Sequence, residues 1–139
     1  MSVDVEDYFQ VAAFEKNINP SDWDQLPCRV EHNTQKILNI FQQADVKSTF
    51  FVLGWVAERY PQLVRDIVNQ GHELASHGYA HQRATLQSRD EFRADIDRAK
   101  KLLEDIGGHE ISGYRAPSYS ISTQNLWAHD ELLEAGHKY

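Results

Sequence analysis

Residues 46–81 read VKSTFFVLGWVAERYPQLVRDIVNQGHELASHGYAH, and this stretch decides the fold. Val46–Leu53 is strongly apolar and closed by Gly54, which reads as a buried strand. Pro61 suits a first helical position. Leu63, Val64, Ile67 and Val68 then form a stripe at three- and four-residue steps, and Gly71 stops the helix. His72–Ser76 is a second short strand. A strand, a helix and a strand with short connections imply parallel pairing through a right-handed crossover.

The same cycle extends in both directions. Upstream, Met1–Glu6 is short and β-branched and reads as a strand. Asn17–Pro27 is rich in Pro, Asn and Asp and reads as a loop. Val30, Thr34, Ile37, Leu38 and Phe41 mark an amphipathic helix over Arg29–Gln43. Downstream, Ser88 and Glu91 form a capping-box signature. Phe92, Ile96, Ala99, Leu102, Leu103 and Ile106 carry the buried face of a helix that Gly107-Gly108 ends. Glu110–Tyr114 reads as a fourth strand. Thr123 opens a last helix with Leu126, Trp127, Leu132 and Leu133 inward, closed by Gly136. The order β-α-β-α-β-α-β-α defines an α/β protein with a parallel sheet. His137–Tyr139 resemble the approach to a fifth strand. A closed (β/α) barrel takes about 250 residues, so these 139 are expected to form a half-barrel or part of a longer domain.

Composition narrows the function. The 14 Lys+Arg and 21 Asp+Glu give a formal net charge of −7, without a basic block, which argues against nucleic-acid or anionic-membrane surfaces. No apolar run approaches the roughly 18 residues of a membrane span. The N-terminus lacks a signal-peptide pattern, leaving a cytoplasmic location as the default expectation. The lone Cys28 excludes an internal disulfide framework and a thiolate metal cluster.

Three segments that follow predicted strands carry chemistry, and in parallel α/β folds that end of the sheet is where sites are built. Asp4-Val5-Glu6-Asp7 crowds three carboxylates into four positions, which suits a base beside a metal-binding acid, or a solvated acidic turn. His77 and His81 in Ser76-His77-Gly78-Tyr79-Ala80-His81 have a spacing that suits two ligands of one divalent metal. Arg115, in Gly113-Tyr114-Arg115-Ala116-Pro117-Ser118-Tyr119, belongs to the same sheet end as Asp4. A guanidinium there holds a carboxylate in one orientation and keeps it ionised.

These segments, with Ser48-Thr49-Phe50-Phe51-Val52-Leu53-Gly54 and Tyr114-Arg115-Ala116-Pro117, occur in the order of the polysaccharide deacetylases (carbohydrate esterase family 4), which the chain resembles. The opening Val3-Asp4-Val5-Glu6-Asp7-Tyr8-Phe9 looks most like the subgroup found with bacterial exopolysaccharide and exosortase systems. The resemblance implies a distorted (β/α) barrel and one divalent metal, usually zinc, with removal of N-acetyl groups from the amino sugars of a polysaccharide. It assigns Asp4 as base, His77 and His81 as metal ligands, and either Glu6 or Asp7 as the third ligand. Most family members have two adjacent aspartates there. Arg115 orients the base, and Ser118 or Tyr119 supplies the oxyanion N–H. The family continues with an aspartate–tryptophan motif and a catalytic-acid histidine that these residues do not contain, so the chain reads as the N-terminal portion of a deacetylase domain. Two rival readings are an amidase of the same fold acting on a small cyclic amide or ureide, and a non-catalytic metal- or glycan-binding fragment. Half a barrel also exposes strand edges and an inner face, where Val3 and residues 46–53 would place apolar side chains, so self-association is expected.

Overall fold

The computed structural model describes residues 1–139. Three parallel strands, β1 (Ser2–Val5), β2 (Thr49–Val52) and β3 (Glu73–Ser76), lie in the order β1-β2-β3. Asp4 pairs with Phe51 and Phe51 with Ala75. Helices α1 (Val30–Gln43), α2 (Gly54–Arg59), α3 (Pro61–Asn69), α4 (Arg89–Gly107) and α5 (Trp127–Glu134) complete the α/β architecture. No helix is long and apolar enough to cross a membrane.

Side chains alternate across the pleat, so the sheet has two unlike faces. Val5, Phe50, Val52 and Leu74 join Leu38, Leu63, Val64, Ile67 and Leu103 in one buried cluster under the helices. Val3 packs against that cluster too, not on the inner face as the sequence suggests. The register places Ser2, Thr49 and Glu73, then Asp4, Phe51 and Ala75, on the opposite face. That inner face is largely polar. Its one large apolar side chain, Phe51, lies under the Arg115 guanidinium at 3.9 Å from the ring centroid.

The expected fourth strand at Glu110–Tyr114 is absent as a regular element. Only Tyr114 forms a parallel bridge, to Ser76. The segment still runs alongside β3: Ser76 N–H donates to the Gly113 carbonyl and Arg115 N–H to the Ser76 carbonyl, both at 2.9 Å. On its far side Lys138 N–H donates to Ser112 and Tyr114 N–H to Tyr139. At Gly113 the Tyr139 ring packs where a side chain would be, 2.6 Å from an ideal Cβ.

Elsewhere the helix signals hold with local differences. Ser88 and Glu91 form the reciprocal capping box of α4, and Gly108 ends it at φ +77°. Gly54 does not merely close β2 but opens α2, a helix the apolar stripe after Pro61 does not reveal. Asn17–Pro27 contains a 3-10 turn, Pro20–Gln25, that buries Trp23. The last helix starts at Trp127, not Thr123. Leu126 and Leu133 are exposed, while Trp127, Ala128 and Leu132 face the cluster around Phe92, Ile96 and Tyr114. Glu131 is buried there because Arg89 and Arg93 both bind its carboxylate.

Candidate active site

The strand ends bring Asp4, Glu6, His77, His81, Arg115, Ser118 and Tyr119 around one pocket of about 160 Å³. Glu6 Oε2 lies 2.9 Å from His81 Nε2 and 3.8 Å from His77 Nε2. These three ligand atoms fall within 4.8 Å of one another. Glu6 Oε2 is buried and meets no donor in hydrogen-bond geometry. A buried carboxylate oxygen without a donor, facing two imidazoles, is a donor set suited to a divalent cation. Burial pushes the Glu6 carboxyl up, but His81 and His77 outweigh it, and the net shift is downward.

The His77 tautomer follows from its neighbour. Nδ1 is 2.7 Å from the Arg115 carbonyl oxygen. A carbonyl only accepts, so Nδ1 carries the proton and the Nε2 lone pair is left facing Glu6 and His81. Backbone carbonyls orient metal-ligating imidazoles in this way. Burial also lowers the His77 pKa, partly offset by that carbonyl, which favours the neutral ring a ligand must be.

Arg115 serves the second half of the site with its side chain. One guanidinium nitrogen binds the Asp4 carboxylate, and the other donates to Ser2 Oγ at 2.8 Å. The guanidinium carbon also sits over the Phe51 ring, so Asp4 is held by a cation that itself contacts Ser2 and Phe51.

Of the two carboxylates the sequence offers as third ligand, only Glu6 is with the imidazoles. Asp7 is turned away and buried. Its oxygens accept the N–H groups of Tyr8 at 2.8 Å, Arg29 at 2.5 Å and Val30 at 2.9 Å. It caps both a 3-10 turn and the start of α1, which leaves it no free oxygen for the pocket. The two oxyanion candidates also differ. Tyr119 N–H donates to the Ala116 carbonyl at 3.0 Å, whereas Ser118 N–H forms no hydrogen bond within the chain. Ser118, Tyr119 and His81 all adopt left-handed backbone, at φ +53°, +51° and +54°. Such conformations cost free energy in non-glycine residues and tend to gather at functional sites.

The loop bearing both histidines is clasped from two sides. Gly54 N–H and Trp55 N–H at the start of α2 donate to the Gly78 and Tyr79 carbonyls, each at 2.9 Å. From α4, Asp95 Oδ2 accepts Tyr79 N–H at 3.0 Å. Sequence reasoning passes over Asp95, although its place three residues after Phe92 and one before Ile96 puts a carboxylate on the apolar face of α4. Burial raises its pKa, with the Tyr79 and Ala80 N–H groups opposing.

Parallel strands carrying an acid–imidazole–imidazole cluster beside an arginine-held aspartate define an α/β fold with a candidate metal site at its strand ends. The family model for polysaccharide deacetylases matches residues 21–137, and the chain belongs to that family. A peptidoglycan-N-acetylglucosamine deacetylase of Bacillus cereus is 35% identical over 99 residues, covering 70% of this chain and 36% of that protein. A Helicobacter pylori peptidoglycan deacetylase is 28% identical over 104 residues, 75% of this chain and 34% of that one. Among solved structures, a Mycobacterium smegmatis protein assigned to the polysaccharide deacetylases superposes with a TM-score of 0.80 at 29% identity, over 98% of this chain and 47% of that chain. The chain thus spans little more than a third of the length of these curated relatives.

Proposed function

We propose that this chain carries the metal site and base of a zinc-dependent hydrolase that removes N-acetyl groups from the amino sugars of a polysaccharide. One observation carries the reading: Glu6, His77 and His81 converge with an orphaned carboxylate oxygen and a fixed tautomer, beside an aspartate oriented by Arg115. The deacetylase relatives support the bond type. The Val3–Phe9 opening, with Glu6 rather than a second adjacent aspartate, supports placing the chain in the exopolysaccharide-associated subgroup.

Two histidines and a carboxylate would hold the ion, which when bound supplies Lewis-acid chemistry, activating a water and polarising an acetamide carbonyl. Asp4 takes the proton of the attacking water, and Arg115 keeps that carboxylate aimed and charged. The unclaimed Ser118 N–H is the donor available to the developing oxyanion, an interaction worth about 3–4 kcal/mol where one such donor has been deleted. His137 is buried against the Tyr114 ring and His129 rides on α5, and neither lines the pocket. The leaving amine therefore lacks a histidine acid among these residues, a contribution of about 10²–10⁴-fold in rate.

Metal titration followed by acetate release tests the reading. The chain should take up one zinc per molecule, and His77→Ala with His81→Ala should abolish it. Acetate should be released from N-acetylglucosamine oligomers slowly, and a cyclic ureide should not be hydrolysed. Undiminished zinc uptake by the double variant would overturn the site, and ureide hydrolysis the substrate class.

A further inference from the structure

The two histidines of the metal pocket are not held alike. His77 is anchored twice, its N–H donating to the Val52 carbonyl at 3.0 Å and its Nδ1 facing the Arg115 carbonyl at 2.7 Å. His81 has no such support. Its imidazole pairs with Glu6, but the backbone of Ala80 and His81 forms no backbone–backbone hydrogen bond. That backbone is nevertheless left-handed at His81, at φ +54°, a conformation that persists only where the surroundings impose it.

What imposes it lies just before it. Two successive peptide planes, Gly78–Tyr79 and Tyr79–Ala80, are each pinned at both ends. Their carbonyls accept Gly54 N–H and Trp55 N–H from α2, each at 2.9 Å. Their N–H groups turn the other way, to one carboxylate on α4. Asp95 Oδ2 accepts Tyr79 N–H at 3.0 Å, and Ala80 N–H bonds to the same side chain. Asp95 is flanked on α4 by Phe92 and Ile96, both in the core, where a carboxylate is costly unless its oxygens are used. Arg98, which stacks on the Tyr79 ring at 3.4 Å from its centroid, is the cation that acts on it.

We propose that Asp95 is a positioning residue of the metal site. By fixing the two peptides that lead to His81, it sets where that imidazole stands relative to His77 and Glu6, and so how tightly the three hold a divalent ion. It acts through the backbone alone. A carboxylate suits the task because it only accepts, and both groups that face it only donate. The inference rests on the Glu6–His77–His81 metal reading and adds to it a residue from a different element.

Zinc affinity of the 139-residue chain, measured by chelator competition, tests this. Asp95→Leu keeps the bulk and removes the acceptor. It should weaken zinc binding by about 10–100-fold, the usual effect of deleting a group that orients a ligand. Asp95→Asn retains one acceptor oxygen and should restore most of that loss. Thermal unfolding of the metal-free variants verifies that they are folded, with Asp95→Ala as the alternative where Asp95→Leu is not. A double-mutant cycle then reads the route. In a His77→Ala background the Asp95→Leu loss should persist, whereas in a His81→Ala background it should vanish. Unchanged zinc affinity in the folded Asp95→Leu or Asp95→Ala chain would overturn the role, as would a full loss in the His81→Ala background. An Asp95→Asn loss as deep as that of Asp95→Leu overturns it too, by assigning the effect to charge. The metal reading fails separately: undiminished zinc uptake by His77→Ala with His81→Ala removes the site, whatever Asp95 does.

Discussion

Arg115 divides its work between backbone and side chain. Its carbonyl fixes the His77 tautomer, and its guanidinium holds Asp4. Substitution separates the two. Arg115→Ala should retain one zinc per chain, because the carbonyl remains, yet lower the acetate-release rate by about 10²-fold or more through loss of an oriented base. A stoichiometric loss of zinc in that variant would contradict the division. The types and approximate places of these residues are legible in the sequence, since strand ends, the His-x-x-x-His spacing and the Arg-Ala-Pro turn are local signals. The choice between Glu6 and Asp7 is not. It depends on the Arg29 and Val30 N–H groups arriving from 22 and 23 residues away to occupy Asp7. Asp95 did leave a signal, a carboxylate in the apolar register of a helix, but its partner lies on another element.

At the scale of elements, the histidine loop depends on α2 and α4 holding it. Gly78 adopts left-handed backbone at φ +75°, which permits the tight turn, and an added Cβ would lie 2.8 Å from Asp95 Oδ2. Gly78→Ala should therefore destabilise the fold by about 1–3 kcal/mol and weaken zinc binding, measured by urea unfolding and metal titration. In α4, Leu103 is fully buried, and Leu103→Ala should cost about 2–5 kcal/mol. Ser88→Ala, which removes the cap, should cost only about 1 kcal/mol. Unfolding curves rank the two, and a reversal would contradict the packing. Helices α1, α3 and α4 are legible because long amphipathic stripes and caps are local. The short α2 and the irregular Glu110–Tyr114 segment are not, since one is held by the loop it clasps and the other shares its backbone hydrogen bonds with Lys138 and Tyr139, some 25 residues on.

For the whole molecule, the contrast between the two sheet faces bears on association. The inner face carries Ser2, Asp4, Thr49 and Glu73, so the apolar surface expected from the sequence is not what would drive it. β1 pairs only with β2, and its other edge offers backbone groups to a further strand. Self-association through that edge is our proposal. Light scattering should show a mass rising with concentration, and a stable monomer at tens of micromolar would refute it. Stability should also depend on pH through His137, buried beside the Tyr114 ring, with Lys100, Glu104 and Asp97 the charged groups that act on it. Burial, then Lys100, depresses its pKa to about 4. An unfolded histidine titrates near 6.5, so the unfolded chain binds a proton that the folded one refuses between those values. Stability should therefore fall as pH drops from about 6.5 towards 4, by at most about 1.4 kcal/mol per pH unit from this residue. His137→Phe should flatten that decline in urea titrations at pH 7 and 5, and an equally steep decline would exclude the histidine as its source.

The pairing of Asp4 with Arg115 also sets an order of events at the ribosome. The partners are 111 residues apart in a chain made from the N-terminus at about 5–20 residues per second. For on the order of 5–20 s, Asp4, Glu6 and Asp7 are therefore already synthesised while the arginine does not yet exist. A nascent chain in that interval cannot form the Asp4–Arg115 ion pair, whatever ions it meets. The pair is thus withheld until Arg115 has followed Asp4 by 111 residues, a delay written into the distance between two side chains.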